Sequence, residues 1–332
     1  MPIGGTLLMK NNLLTIIIPV YNTGDLLIRC LDSVINQSLK EIEIIIVNDN
    51  STDNSADIIQ QYIQNYSNIK YYHNNSNLGP GGARNVGLRH VTTKYVCFLD
   101  SDDWIDTNSY IEAVDALEKN NTCDIAIFGI KTEYDSPYLT SIRYQYPHFN
   151  IINSTFALSL LCNVVNQDIS ISVLLGNKVF CTNLLVDNNI YFEQTFFEDE
   201  LFSFLAIFNA QNVITLPNIY LHYYQRSSSV MHSFSPCYIH DTLHNFKRLK
   251  QYLENAHAFD SYKTYYYSFF TRCYISLINV LFSEETNSNL QKQNLIYFIN
   301  SVKSILDFED MIQYTDSTLL KKIFLTNLKN DV

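Results

Sequence analysis

The chain has 332 residues, a formal net charge of −11, and 47% hydrophobic and 14% aromatic residues. That length and apolar content predict a substantial core, arranged as one large domain with an appendage or as two domains. The acidic balance excludes sequence-independent nucleic-acid binding, which needs a basic surface, so no nucleic-acid partner is expected. An anionic substrate would need local cations or a metal ion to be held.

Seven scattered cysteines without a C-x-x-C pair favour reduced thiols in a cytoplasmic protein over disulfides or a zinc site. No apolar stretch reaches the roughly 18–20 residues of a membrane span, and the start of the chain lacks the pattern of a secretory signal. Residues 1–8 are interpreted as a vector remnant or a mis-assigned start, because Met9 is a sensible beginning. The sequence leaves open whether these eight residues are native.

Strands and helices alternate through the first 130 residues. Short apolar runs predict strands at 13–20, 41–49, 69–73, 94–100 and 124–130. Helical patterns lie between them, after Gly24, after the S-T-D-N stretch and in GGARNVGLRHV. Continuous apolar strands separated by helices predict an α/β fold with a mostly parallel central sheet covered by helices on both faces.

The pattern is looser after residue 131. SVLLGNKVF (172–180) predicts a further strand, FFEDELFSFLAIF (196–208) predicts an amphipathic helix, and 213–232 is mixed and rich in aromatic residues. Beyond residue 236 the chain is mainly helical in pattern. We therefore place a loose boundary there, with a domain at 1–235 and a helical region at 236–332.

Polar residues follow four of the predicted strands, where the ligand crevice of such a sheet lies. They are Tyr21 and Asn22, Asn48 and Asp49, Asn77 to Asn85, and Asp100 to Asp103.

Three aspartates crowd the end of the fourth strand in FLDSDDW. Asp100 and Asp102 share one face of an extended segment, and paired carboxylates suit a hard ion such as Mg²⁺ or Mn²⁺. The alternative is an acid-rich helix N-terminus. The dinucleotide fingerprint G-x-G-x-x-G is missing after the first strand, but NLGPGGARN (77–85) supplies a Gly-rich turn whose amides and Arg84 would approach a nucleotide. An ordinary loop, with Arg84 paired to an acid, is the alternative there.

The order TIIIPVYN, IIIVNDNSTDNS, NLGPGGARNVGL and FLDSDDW resembles the family 2 glycosyltransferases, which have a GT-A fold. GNKVF, FFEDELF and YYQRSSSV extend the resemblance to about 230 residues. The resemblance implies an inverting, metal-dependent glycosyltransferase of the bacterial surface-polysaccharide type. The last hundred residues resemble no family that we can assign.

The resemblance also implies residue roles. Nucleotide-sugar contacts are implied for Pro19, Tyr21 and Asn22 in the first corner, for Asp49 at the uracil or ribose, and for Asn77, Gly79 and Arg84 beside the base. They are also implied for Asp100 at the ribose or the metal, for Ser101, and for Arg226, Ser228 and Ser229 over the pyrophosphate. Asp102, with Asp100, would be the ligand of Mn²⁺ or Mg²⁺. His222 and His232 are candidates for a further metal ligand, or are simply packed or exposed.

The catalytic base implied by the E-D pair is Asp199, and Glu198 is the alternative assignment. A third interpretation is that these acids only favour the N-terminus of the helix, without a catalytic role. UDP is the donor nucleotide implied by the family, and dTDP and GDP are also used within it. The acceptor would be a glycan or lipid-linked glycan of capsule or lipopolysaccharide synthesis.

Two other functions remain open from the residues. A nucleotidyltransferase also uses paired aspartates, although PVYNTGDLLIRC lacks its usual basic cluster, and an inactive sugar-binding module would share the fold. For the C-terminal region we consider acceptor selection, a homodimer contact or peripheral contact with the inner face of the plasma membrane. HNFKRLKQYL and LLKKIFLTNLKN combine basic and apolar residues, which fits such contact, while an ordinary packing helix is the favoured alternative.

Overall fold

The computed structural model describes residues 12–135, 139–165, 168–225 and 235–284, together with Tyr314. Ten strands in this part of the chain form one sheet. They are β1 (Leu14–Val20), β2 (Ile42–Asn48), β3 (Ile69–His73), β4 (Tyr95–Phe98), β5 (Trp104–Ile105), β6 (Ile125–Glu133), β7 (Ser141–Tyr144), β8 (Asn150–Asn153), β9 (Lys178–Cys181) and β10 (Asn212–Tyr224).

Nine helices accompany the sheet in the same described residues. They are α1 (Leu26–Ile35), α2 (Ser55–Asn65), α3 (Gly79–Leu88), α4 (Ser109–Lys119), α5 (Ser154–Leu161), α6 (Thr182–Asp187), α7 (Glu198–Asn209), α8 (Pro236–Asn255) and α9 (Phe259–Glu284). The five strands and three helices predicted in the first 130 residues are all present, with bounds within a few residues of those expected.

The strand order is β3-β2-β1-β4-β9-β6-β10-β5, with β7 beside β6 and β8 beside β10. Strands β1, β2, β3 and β4 are mutually parallel, whereas β9 is antiparallel to both β4 and β6. The chain runs outward from β1 to β3 and then returns to the other side of β1. This reversal between β1 and β4 is the point where α/β sheets bind ligands.

Both faces of the sheet are buried, which explains why its strands are apolar without alternation. In β1, Ile16 and Ile18 belong to the core on one face, and Ile17 belongs to the core on the other. All three side chains have no exposed area.

β10 is a 13-residue strand that the sequence pattern did not resolve. Pro217 lies within it, and a proline cannot donate to a strand ladder. The pairing with β6 accordingly shifts register between Thr215 and Ile219 and again between Ile219 and Leu221. The strand therefore continues past the proline through a local irregularity.

Helices α8 and α9 contribute to the same core as α5 and α7. In the stretch HNFKRLKQYL, the apolar residues Phe246, Leu249 and Leu253 are at most 2% exposed. These side chains are used in packing, as the favoured alternative for this stretch expects. LLKKIFLTNLKN lies outside the described residues. In the described part of the chain, no helix has both the length and the apolar character to cross a membrane.

Candidate active site

A cleft with about 520 Å³ of empty space, open solvent included, lies at the carboxyl ends of β1 and β4. Its lining consists of Pro19, Val20, Tyr21, Thr23, Asp49, Asn77, Gly79, Pro80, Ala83, Asp100, Ser101 and Asp102. Eight of these were predicted as nucleotide or metal contacts from the sequence. Val20, Thr23, Pro80 and Ala83 were not, since they carry no distinctive chemistry in the sequence pattern.

The corner after β1 is shaped by its contacts with the loop after β2. Asn22 adopts φ +48°, and its Oδ1 accepts a hydrogen bond from Thr52 N at 2.7 Å. Asn22 N in turn donates to Ser51 Oγ at 3.1 Å. Asn22 therefore joins two loops and is not among the cleft-lining residues, while Tyr21 beside it is 48% exposed and faces the cleft.

Asp49 lies at the cleft but is already engaged by the protein. Its Oδ1 accepts from Asn74 Nδ2 at 2.7 Å, and both carboxylate oxygens lie 3.0 Å from the Leu78 amide. With 2% of its surface exposed, Asp49 fixes the loop that brings Asn77 and Gly79 to the cleft.

The turn after β4 is held by hydrogen bonds to residues for which the sequence analysis predicted no role. Ser101 Oγ lies 2.6 Å from Thr23 Oγ1, and Arg29 donates to the Asp102 carbonyl at 3.2 Å. Asp103 is buried and accepts from Tyr224 N at 2.8 Å. Burial raises the pKa of Asp103 well above its ordinary value, and the charges of the neighbouring aspartates add to this effect.

Arg84 does not line the cleft, in contrast to the nucleotide contact predicted for it. Its side chain is 5% exposed, and Nη2 lies 2.6 Å from Asp100 Oδ1. Nη1 donates to Glu198 Oε1. Burial alone would lower the pKa of Arg84, but the two carboxylates raise it above its usual value. The guanidinium thus joins the turn after β4 to the start of α7.

Asp199 is the next residue of α7, and it is distinct from Glu198 in its surroundings. It is only partly accessible, and burial, reinforced by the charge of Glu198, raises its pKa to about 7. Arg84 and Lys178 act in the opposite direction. A carboxyl group with this pKa changes charge near neutral pH, as a general base should. Glu198 is bonded to Arg84 and is the weaker candidate.

Lys178 of β9 is a buried cation close to this acid cluster. Its Nζ donates to Ser172 O at 2.7 Å, to Leu174 O and to Asn177 Oδ1 at 3.0 Å. Burial lowers the pKa of Lys178 to about 7, although Asp199 raises it in part. The sequence stretch GNKVF contains no sign that its lysine interacts electrostatically with Asp199.

The glycines of α3 allow close packing. A Cβ on Gly81 would lie 2.6 Å from Glu193 O and 3.0 Å from Glu198 Cγ. On the same helix, Asn85 exchanges two hydrogen bonds with the backbone of Phe192, at 2.8 and 2.9 Å. The Gly-rich stretch was predicted as a turn near a nucleotide. Gly79 does line the cleft, but Gly81 serves the approach of α3 to the segment before α7.

His222 lies on β10 and is not among the residues that line the cleft. Its Nδ1 is 2.8 Å from Glu133 Oε1, and its Nε2 is 3.1 Å from Asp106 Oδ1. The ring also stacks on Trp104 at 4.8 Å. Both ring nitrogens are used in protein contacts, so this geometry does not support the metal role considered for His222. The predicted residues Arg226, Ser228, Ser229 and His232 lie outside the described residues.

The described residues contain no group of three or more His, Cys, Asp or Glu side chains arranged to hold a metal ion. Asp100 and Asp102 nevertheless bring carboxylates to the cleft lining. Carboxylate oxygens are the ligands that a hard divalent ion prefers, so Asp100 and Asp102 are the residues that would hold one here.

Comparisons with known proteins agree with this architecture. The family model described as glycosyl transferase family 2 matches residues 15–172. The poly(ribitol-phosphate) beta-glucosyltransferase of Bacillus spizizenii is 32% identical over 206 residues, covering 60% of this chain and 30% of that protein. The cholesterol galactosyltransferase of Borreliella burgdorferi is 24% identical over 319 residues, covering 91% of this chain and 87% of that protein.

Among solved structures, residues 1–349 of S. aureus TarS in complex with UDP-GlcNAc match with a TM-score of 0.66 and 24% identity. The match covers 87% of this chain and 81% of that chain. This likeness confirms the predicted GT-A fold. For several curated relatives, the aligned part is a third or less of their own length.

Proposed function

We propose that the chain transfers a sugar from a nucleotide diphosphate to an acceptor hydroxyl, because residues 15–172 match the family model described as glycosyl transferase family 2. The observation that carries the proposal is the link between two sites. The cleft contains Asp49, Asp100 and Asp102, and Arg84 ties Asp100 to the helix that carries the proposed base.

The cleft residues have the chemistry to hold a nucleotide diphosphate sugar. Tyr21 offers an exposed ring, and Asn77 and Ser101 offer polar groups. UDP is the proposed nucleotide, because the structural neighbour TarS was solved with UDP-GlcNAc and the sequence resemblance implies it. The acceptor is proposed to be a hydroxyl of a surface glycan or its lipid-linked precursor.

Asp102, with Asp100, would hold Mg²⁺ or Mn²⁺ in the working enzyme. When bound, such an ion neutralises the negative charge that grows on the departing diphosphate. Three aspartates lie within four residues at this point, and Arg84 is paired with one of them, Asp100.

The protein's own residues account for the proton transfer. In the proposed reaction, Asp199 takes the acceptor hydroxyl proton, and the oxygen forms a bond to the anomeric carbon. The carbon–oxygen bond to the diphosphate breaks, and its electron pair leaves with the diphosphate. This single displacement inverts the anomeric configuration and needs no covalent enzyme intermediate.

A panel of donors tests the proposal. The purified chain is incubated with UDP-glucose, UDP-galactose and UDP-GlcNAc, and with GDP-, dTDP- and CMP-sugars, in Mn²⁺ or in EDTA. We expect metal-dependent release of UDP from one donor, and much slower release at the same Mn²⁺ concentration in Asp102→Asn. Asp115→Asn, an exposed change on α4, is the matched control and should act like the wild type.

Two results would contradict the proposal. Pyrophosphate release from UTP and a sugar phosphate, without sugar transfer, would identify a nucleotidyltransferase instead. Failure both to release nucleotide from any donor and to bind UDP in the presence of Mn²⁺ would favour a module of the same fold without this activity.

A further inference from the structure

The segment from Phe192 to Phe197 leads directly into α7 and ends in an unusual backbone conformation. Phe197 adopts φ +60° and ψ +34°, in the left-handed region. For an aromatic residue this conformation is intrinsically unfavourable, and it persists only where surrounding contacts impose it. Because Phe197 immediately precedes Glu198 and Asp199, its conformation sets the direction in which the first turn of α7 begins.

Asn245, on α8, makes three hydrogen bonds to this segment. Its Nδ2 donates to the carbonyl oxygens of Phe196 and Phe197, both at 3.2 Å. Its Oδ1 lies 2.8 Å from Thr195 Oγ1, which can donate to it. The two carbonyl acceptors fix the orientation of the amide, since only the NH₂ group can donate to both. Asn245 is 2% exposed, so water does not replace these bonds easily.

Two further residues of α8 hold the same segment from the same side. Asp241, one turn before Asn245, accepts from Phe196 N at 3.0 Å. Tyr238 packs its ring against Phe196 and Phe197, at centroid distances of 4.6 and 5.5 Å. Positions 238, 241 and 245 share one face of the helix, and we call these three residues the α8 clamp.

Helix α3 holds the segment at its first residue and at the residue just after its end. Asn85 bonds the backbone of Phe192, and Arg84 pairs with Glu198. The segment is thus fixed between a helix inside the family-matched region and a helix outside it, since the match covers residues 15–172.

We propose that Asn245 is a positioning residue for Asp199, acting through the left-handed backbone of Phe197. This inference rests on the proposed function, because it takes Asp199 as the base. The α8 clamp orients the first turn of α7, so the C-terminal helical region contributes to the reaction without touching the reacting atoms. Loss of Asn245 removes the side-chain donor to the Phe196 carbonyl. It leaves the Phe197 carbonyl with the Glu200 amide, at 3.2 Å, in place of two donors, and so lets Phe197 relax.

The test compares Asn245→Ala on α8 with a control on the neighbouring helix α9. Tyr266→Phe removes the bond from Tyr266 Oη to Phe246 O, at 3.2 Å, and so weakens the packing of α8 on α9 without contacting the α8 clamp. We measure kcat, the pH dependence of kcat, UDP binding by calorimetry and thermal unfolding for both variants.

In Asn245→Ala we expect kcat to fall at least about tenfold while the Kd of UDP stays within about twofold of the wild-type value. The acid limb of the pH profile should move to lower pH, because a loosened first turn admits water to Asp199. Tyr266→Phe should keep the wild-type kcat and pH profile even if its melting temperature falls as much as that of Asn245→Ala.

Three outcomes separate the possibilities. If Asp199→Asn retains wild-type transfer, the assigned base is wrong and the proposed function fails at that point. If Asp199→Asn is inactive but Asn245→Ala keeps the wild-type kcat and pH profile, only the positioning role is overturned. Equal loss of kcat in Tyr266→Phe would also overturn it. Should Asn245→Ala fail to fold, Asn245→Ser is judged by the same criteria.

Discussion

Arg84 Nη2 lies 2.6 Å from Asp100 Oδ1, so an aspartate at the cleft is paired with a cation that is itself buried. The other terminal nitrogen of the same guanidinium bonds Glu198. The turn after β4 and the start of α7 are therefore held together by one side chain. The folded chain itself, through Arg84, therefore sets the spacing between the cleft and the proposed base.

Replacement of Arg84 by alanine should destabilise the fold strongly. Glu198 would be left buried without its partner, which costs about 3–5 kcal/mol of unfolding free energy. The matched control is Arg248→Ala, because Arg248 also pairs with a glutamate, Glu193, but is 53% exposed. That change should cost below about 1 kcal/mol. Urea unfolding measures both values, and similar losses in the two variants would show that burial of Arg84 is unimportant.

The activity should depend on pH through Asp199. Its pKa of about 7 means that the base is mostly protonated below neutrality, so kcat/KM at pH 6 should be about a tenth of its plateau. Asp199→Asn should remove the activity. Initial rates between pH 5 and 9 measure the profile, and a plateau that extends unchanged to pH 5 would exclude Asp199 as the titrating base.

The raised pKa of Asp199 also makes the free energy of unfolding depend on pH, in a direction that can be stated. Above the ordinary aspartate pKa and up to about 7, the folded state binds a proton that the unfolded chain has released. The contribution of Asp199 to stability is therefore present at low pH and is lost as pH rises through this range. Relative to Asp199→Asn, the wild type should lose unfolding free energy between pH 5 and 8, as measured by urea unfolding at each pH.

Gly81→Ala should disturb both stability and turnover. The added Cβ would lie 2.6 Å from Glu193 O, a backbone atom, so α3 and the segment before α7 must separate. Such overpacking costs about 1–3 kcal/mol. Gly176→Ala is the control, since its Cβ would meet only side-chain atoms of Leu221, at 3.1 Å. Thermal unfolding and kcat are measured together, and a fully active, fully stable Gly81→Ala would contradict the close packing.

Asp102→Asn should weaken the dependence on metal more than the binding of nucleotide alone. Loss of one carboxylate from a two-carboxylate donor set should raise the Mn²⁺ concentration for half-maximal activity more than about tenfold. UDP binding in EDTA should change little, because Asp102 would act through the ion. An unchanged Mn²⁺ requirement would remove Asp102 from the proposed metal site.

Local sequence patterns were sufficient to predict much of the fold and the position of the cleft. Apolar runs and strand-end polar residues follow from local periodicity, and the topology rule places Asp49 and Asp102 at one edge of the sheet. The role of Arg84 could not be read in this way, because its partner Glu198 is 114 residues away. β10 was obscured by Pro217, whose irregular pairing depends on the neighbouring strand. Asn245 gave no signal, since a single asparagine in an amphipathic helix has no distinctive local pattern.

Helix α3 has bare backbone on two of its sides. Gly87 faces β1, where a Cβ would lie 2.6 Å from Ile17 Cγ2, and Gly81 faces the segment before α7. At these two positions only backbone separates α3 from its neighbours, so the distance between the sheet and that segment is as short as an intervening helix permits. Substitutions on these two sides can only widen it. The helix therefore acts as a spacer of fixed thickness. Mutations at these positions cannot change the distance from the sheet to α7 in small steps. Differences in substrate size must be accommodated elsewhere.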